Sequence, residues 1–380
     1  MAAAIARDLR PVRAPSKAAP KAARKTGLFG PPRPRVKTKD IAVLTRQLAT
    51  MISAGIPLLE SMEILEEQAS DAGFRIVLDK VIERVRAGSD FSTALAEHPR
   101  LFSKIYVNMI RAGESSGQLD VILGRLADYM ESAEELKREI KSAMTYPVIS
   151  LFLIVSITVG LVVGIVPRFQ AIFEQMGMKT FPLPTEILLA ISDALRRQFP
   201  ALLALLAVTA VSSALYIRTT PGRRHWHWFL LHLPVFGPLF RKVAISRFSR
   251  TFATLIQSGV PMLGALDIVA ATAGNVVVEA AVLKAKEAVT RGETLGDPLT
   301  ATRVFPPMVT RMISIGEKTG ALEKLLMKIA EFYDQEVRAM VKALTSLIEP
   351  LMISLMGFIV GFIVLAIFLP IIYIQKHYAN

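Results

Sequence analysis

Three stretches of the chain contain no Asp, Glu, Lys, Arg or His: Val148 to Val166, Phe199 to Ile217 and Leu351 to Ile374. Each reaches the roughly 19 residues that a helix needs to cross a hydrocarbon layer of about 30 Å at ~1.5 Å per residue. One such run could be a buried helix of a soluble protein, but three in one chain argue for a membrane. The sequence therefore predicts an integral membrane protein with spans at 148–167, 199–217 and 350–374. The chain has no cysteine, which excludes a disulfide framework and any thiolate metal or redox site.

Most of the rest is duplicated. Arg46, Ala49, Thr50, Gly55 and Pro57 recur 204 positions on as Arg250, Ala253, Thr254, Gly259 and Pro261, and Gly88 recurs as Gly292. After a one-residue deletion, Phe102, Gly113, Glu114, Gly117, Leu119, Pro147 and Pro167 recur 203 positions on as Phe305, Gly316, Glu317, Gly320, Leu322, Pro350 and Pro370. Glycine and proline mark backbone geometry, so matches at these residue types point to two copies of one fold. Each copy reads soluble segment, proline, span. Both soluble segments, 41–147 and 218–349, should then lie on one side of the membrane. The span at 199–217 has no counterpart in the repeat and brings the chain back between them.

The charge distribution orients this arrangement. The net charge of +13 divides unevenly, with +9 on residues 1–40, −4 on 41–147 and +6 on 218–349. Basic residues crowd the entrance of the first span (Lys137, Arg138, Lys141) and the exit of the second (Arg218, Arg223, Arg224, Arg241, Lys242). The segment 168–198 is nearly neutral, and 375–380 carries only Lys376 and His377. By the positive-inside rule the N-terminus and 218–349 face the cytoplasm, while 168–198 and 375–380 form a loop and a tail on the outer side. Residues 1–40 interleave eleven Lys/Arg and six Pro with Ala and lack the apolar run of a secretory signal, so they read as a disordered basic tail. Basic and aromatic residues share no stripe, so no nucleic-acid partner is expected.

Each soluble copy reads as a helical bundle. In the first, Ile41, Leu44, Leu48 and Ile52 share one face of a helix capped by Asp40 and running to about Ser53. Gly55 suits the left-handed position after that helix, and Pro57 the first turn of the next. Leu58, Met62 and Leu65 form the buried stripe of the second helix, opposite Glu60, Glu63, Glu66 and Glu67. Further helices are predicted over Phe74 to Arg86, after Asp90, and from about Lys104 to Ala112, and a long one runs from Gln118 into the first span. No segment alternates at period two for long. The fold class is all-α, with two homologous cytoplasmic helical bundles and three transmembrane helices.

The candidate chemistry is sparse. Gly316-Glu317-Lys318-Thr319-Gly320 resembles a phosphate loop only superficially, because Arg311 stands where the first glycine belongs and Glu317 separates Gly316 from Lys318. It and its copy Gly113 to Gly117 read as two-glycine turns between helices, with Ser116 and Thr319 as N-caps. Glu114 and Glu317 are either solvated carboxylates accepting from turn amides or, as duplicated exposed groups, contacts to a partner protein. Glu349, just before Pro350, either snorkels to the interface or meets a partner. Gly160 with Gly164, and Gly357 with Gly361, are candidate packing faces within or between subunits, against incidental glycine. His225-Trp226-His227-Trp228 and His232 suit an interfacial aromatic belt better than a metal site. No metal, no cofactor and no catalytic residue is expected, so the chain is not read as an enzyme.

Taken together, these motifs resemble those of the inner-membrane platform proteins of type II secretion and type IV pilus systems. The resemblance rests on Ala54 to Leu59 and its copy Ser258 to Leu263, the two Gly-Glu-x-x-Gly segments, Glu349-Pro350-Leu351, and the closing Gly361 to Pro370. It covers about residues 40–375 and carries the role of Gly55, Pro57, Gly259, Pro261, Gly113, Glu114, Gly117, Gly316, Glu317, Gly320, Glu349 and Pro350 as family-motif and interaction positions. It implies a multi-pass protein of the bacterial inner membrane that oligomerises. Such a protein would touch a cytoplasmic assembly ATPase, other inner-membrane assembly proteins and lipid, and couple the ATPase to polymerisation of pilin or pseudopilin subunits. Many family members carry a folded segment ahead of the first bundle, where this chain has its Ala/Lys/Pro tail. The opposite charges of the two bundles favour packing of one against the other, within a chain or head-to-tail between chains. The alternative from another class is an oligomeric channel or transporter, which the lack of ionisable residues within the spans disfavours.

Overall fold

The computed structural model describes residues 34, 36–176, 180–234 and 236–378, so most of the basic tail expected at 1–40 lies outside the described residues. Among those residues the secondary structure is helical, without strands. α1 (Thr38–Ser53), α2 (Leu58–Gln68), α3 (Ala72–Arg86), α4 (Phe91–Ala96) and α5 (Lys104–Ser116) bundle against the first half of α6 (Leu119–Gly164). α7 (Val166–Gln175), α8 (Leu183–Arg197), α9 (Phe199–Arg218) and α10 (Thr220–His232) follow. The second bundle sets α11 (Phe236–Gln257), α12 (Met262–Thr272), α13 (Val276–Thr290), α14 (Gly296–Ala301) and α15 (Pro307–Thr319) against α16 (Leu322–Tyr378).

The duplication is visible helix by helix. α2 at 58 recurs as α12 at 262, and α3 at 72 as α13 at 276, both 204 positions on. α5 at 104 recurs as α15 at 307, and the start of α6 at 119 as that of α16 at 322, both 203 positions on. In both copies a glycine with φ of +85° (Gly55) or +80° (Gly259) ends the first helix. A proline, Pro57 or Pro261, then stands at the N-cap of the next. The expected stripe holds, with Ile41, Leu44 and Leu48 buried. Asp40, however, is not the cap. α1 begins at Thr38 and Asp40 occupies the first turn, accepting from the Lys37 N–H at 2.9 Å, where a carboxylate also complements the helix dipole. Buried side chains of both bundles form one continuous apolar core, in which the Phe248 and Phe305 rings lie 4.9 Å apart.

The last helix of each bundle and its apolar run are one unbroken rod. Pro147 lies inside the 46-residue α6, which carries the expected helix from Gln118 into the first span, and Pro350 and Pro370 lie inside the 57-residue α16, so none of the three interrupts its rod. The two rods run parallel. Leu136 and Ile140 pack beside Val337 and Val341 near the bundles, and Val162 beside Ile363 and Ala366 at the far end.

The connection expected as a loop at 168–198 contains two helices, and α8 packs against both rods through Leu188. Thr185 donates to the Ala366 carbonyl at 2.6 Å. That carbonyl is the one deprived of its N–H partner by Pro370, four residues on. Ser192 donates to the Val162 carbonyl, one of the last of α6, at 2.7 Å. In an apolar medium such carbonyls must find a protein donor.

By length and composition, two helices among the described residues suffice to cross a membrane, within Leu119–Gln175 and Leu322–Tyr373. A third candidate, Pro221–His232 with Phe236–Gln257, is bent by 111°. Its second arm, α11, buries Phe248, Phe252 and Leu255 in the bundle core, which sets it in the bundle rather than in lipid. α9 is a single 20-residue helix exposing Leu205, Val208, Val211 and Leu215.

Candidate functional site

The duplicated Gly-Glu-x-x-Gly segments are not two-glycine turns. α5 and α15 run straight through Gly113 and Gly316, and only Gly117 and Gly320 leave the helix, with φ of +69° and +70°. Ser116 and Thr319 are therefore the last residues of their helices, not N-caps of the next. The first glycines serve close packing instead. A Cβ on Gly113 would stand 3.1 Å from the Ile122 side chain, and one on Gly316 would stand 2.9 Å from the Leu322 Cα. The helix hairpin is thus tight at its neck, most of all at Gly316, where the obstacle is backbone. Lys318 lies exposed on α15, where no phosphate cradle exists.

Glu114 and Glu317 share one task. The Glu114 carboxylate accepts from the N–H groups of Phe91 at 2.5 Å and Ser92 at 3.2 Å, capping α4 from across the bundle. Glu317 accepts from the Leu295 N–H at 2.8 Å, at the start of α14. Both carboxylates are half-buried, and they bind the amides of another helix rather than those of their own turn. The sequence placed both residues correctly in the repeat but missed this task, because the amides lie 22 or more residues upstream.

Between the bundles, Arg338 of α16 pairs with Glu135 at 3.5 Å and Glu139 at 3.0 Å on α6. In the other direction, Arg125 donates to the Gln257 carbonyl, and Tyr129 is hydrogen-bonded to Thr251 at 3.2 Å. The two bundles therefore meet within one chain, with a basic residue of the second on acids of the first. A cleft of about 530 Å³ opens along this seam, edged by Tyr106, Tyr129, Lys137, Arg247 and Asp334. Burial raises the Tyr106 phenol to about 12 and the Tyr129 phenol in the same direction, so both stay protonated.

The remaining candidates stand apart. Glu349 and Pro350 are exposed on α16. A Cβ on Gly160, Gly164, Gly357 or Gly361 would meet nothing within 4 Å, so among the described residues neither glycine pair packs against a helix of its own chain. In α10, His227 accepts from the Val276 N–H at 3.0 Å and helps Asn275 cap α13, while His225 bonds Tyr216 and His232 bonds the Trp228 carbonyl. Burial, followed by the nearby Arg223, lowers the His227 pKa. Among the described residues no cluster of His, Cys, Asp and Glu is placed to hold a metal.

This architecture, two copies of a five-helix bundle each feeding a membrane-length rod, has a family match. The family described as Type II secretion system (T2SS), protein F, matches residues 44–167 and again 248–370. The chain belongs to the T2SS protein F family. Its two matched segments coincide with the two structural copies, each starting in the first helix of a bundle and ending at the far end of a rod. Among relatives of this chain, the type IV pilus assembly protein PilC of Thermus thermophilus is 45% identical over 341 residues, covering 88% of this chain and 82% of its own. PilC of Myxococcus xanthus is 41% identical over 336 residues, covering 88% and 80%. The type II secretion system protein F of Aeromonas hydrophila is 32% identical over 321 residues, covering 84% and 82%.

Proposed function

We propose that this chain is an inner-membrane platform of a type IV pilus or type II secretion machine. It oligomerises there and couples a cytoplasmic assembly ATPase to the polymerisation of pilin or pseudopilin subunits. The observation that carries the reading is the duplicated bundle-and-rod unit, because two helical bundles on one side of a bilayer offer surface to a soluble partner. The unbroken α6 and α16 connect that surface to the apolar ends where membrane-borne subunits would be met. The names of the PilC and protein F relatives support the same assignment. α9 is then the return crossing, with the bundles cytoplasmic and 168–198 periplasmic, in keeping with the basic residues around Lys137 and Arg218.

Two experiments test this. Because the chain has no cysteine, S70C, Q175C and T290C report topology by thiol labelling of intact cells. Only Q175C should react with an impermeant reagent, and labelling of S70C or T290C would refute the orientation. Deletion of the gene should abolish surface filaments or secretion, and re-expression should restore them. Normal filaments and secretion after deletion, or solute flux through the purified protein in liposomes, would point to the channel reading instead.

A further inference from the structure

Apart from Arg338, which meets Glu135 at its own equivalent position on the other rod, the contact between the two bundles is one-sided. The first bundle contributes α5 and the start of α6. There Asn108, Ala112 and Ser115 flank the Ser258–Pro261 turn, Arg125 reaches the Gln257 carbonyl, and Tyr129 meets Thr251. Because the bundles are copies, each owns both surfaces. The counterpart of the α5–α6 surface lies on α15 and α16, where Arg311, Ile315, Lys318, Lys328 and Phe332 stand 203 positions beyond Asn108, Ala112, Ser115, Arg125 and Tyr129. The counterpart of the receiving surface lies on α1 and its following turn, where Gln47, Ser53 and Ala54 to Pro57 stand 204 positions before Thr251, Gln257 and Ser258 to Pro261.

Both counterparts are open. Ile315 is 55% exposed and Phe332 45%, and Val43, one turn before Gln47, is 48% exposed. Gln47, Ser53 and Gly55 are exposed too, and among the described residues Lys328 pairs with its helix neighbour Glu331 at 2.8 Å. A two-fold relation between the bundles would have closed both pairs at once. The observed contact is heterologous, and a heterologous contact leaves one unused half at each end.

We propose that a second copy of this chain fills them, the α15–α16 surface of one chain docking on the α1–α2 turn of the next and so repeating the internal contact between chains. Three observations favour a copy over another occupant. First, the copy of the receiving surface, at the turn between α11 and α12, already holds a complement of the same fold inside the chain. Second, α6 and α16 run parallel, so the movement that carries the first bundle onto the second keeps every rod pointing the same way, and the next copy stays in the same membrane. Third, the unused halves differ in charge. Arg311, Lys318 and Lys328 face outward on one, and Glu60 is exposed just beyond Pro57 on the other, where the internal contact has the uncharged Gly264. Such complementarity selects the correct pairing. The inference deepens the platform reading by naming the surface of its self-association.

The absence of cysteine makes the test direct. A chain carrying Ser53→Cys and Lys328→Cys, treated in native membranes with a short thiol-specific bifunctional crosslinker, should give a ladder of dimers and higher multiples. Either single variant should stay monomeric. Arg125→Cys with Gln257→Cys should close within the chain and confirm the template. Phe332→Glu should cut the ladder about tenfold, as loss of a central aromatic anchor does, while the internal crosslink persists. Monomer alone from the first pair, dimers from a single variant, or a ladder indifferent to Phe332→Glu would each overturn the proposal. The readout needs only this chain in a membrane, so its failure would leave the assembly role, tested by complementation, standing.

Discussion

Arg250 is bonded to Asp334 in the second bundle at the register where Arg46 meets Glu131 in the first, each arginine tying the opening helix of its bundle to the rod. The chemistry is repeated but its surroundings are not. The Arg250 and Asp334 side chains are 16% and 12% exposed, and Ser246 also donates to Asp334, whereas Arg46 and Glu131 are 38% and 47% exposed. R250A leaves a buried carboxylate without its cation and should cost about 3 kcal/mol. R46A should cost less than ~1 kcal/mol. Thermal unfolding of the solubilised chain ranks the two, and equal losses would contradict the burial argument.

The exposed pair sets a pH dependence. Hydrogen bonding to Arg46 holds the Glu131 carboxyl below its ordinary value of 4.5. A carboxyl with a depressed folded pKa binds fewer protons folded than unfolded, so its contribution is complete above about pH 4.5 and fades as pH falls through the folded value. E131Q should flatten the decline in unfolding temperature between about pH 6 and pH 3 relative to the parent. A parallel decline in both proteins would assign it to other carboxylates.

The second copy lacks a buried hydrogen bond that the first copy makes. Thr45 is hydrogen-bonded to the Tyr106 hydroxyl at 3.1 Å. At the equivalent positions stand Ser249 and Val309, and the buried Ser249 hydroxyl has no partner among the described residues. S249A should therefore be neutral or stabilise by up to about 1 kcal/mol, while T45A should destabilise by about the same amount. Denaturation of the two variants side by side gives the sign of each effect.

Glycines of the two kinds should behave oppositely. G316A forces a Cβ onto the Leu322 backbone and should cost about 1–3 kcal/mol. G160A and G361A face open space and should leave stability of the isolated chain within about 0.5 kcal/mol. If these two glycines pack between chains, the same variants should lower the crosslinked multimer fraction in bilayers.

The repeat, the helical class and the long rods were legible because spacing carries them. Glycine at 55 and 259, proline at 57 and 261, and the uncharged runs each constrain backbone geometry or solvent without reference to anything distant. What stayed hidden was tertiary. That Glu114 caps α4, or that Thr185 serves the carbonyl freed by Pro370 across 181 positions, depends on helices meeting in space. Ser116 and Thr319 have the side chains of N-caps but close their helices, since each precedes the glycine that takes the left-handed turn. Pro147 was no obstacle, because the helix expected from Gln118 into the first span carries it, although a proline can as well open a helix.

That last proline has a mechanical consequence. A 46-residue helix is about 69 Å long at ~1.5 Å per residue, and α6 leaves its bundle through Pro147, whose missing N–H weakens the backbone ladder there. Pro350 stands at the equivalent position of α16, so both rods carry their flex points where they leave the bundles. At the far ends α8 ties the rods together through Thr185 and Ser192. The paired helices are thus fastened at one end and jointed near the other.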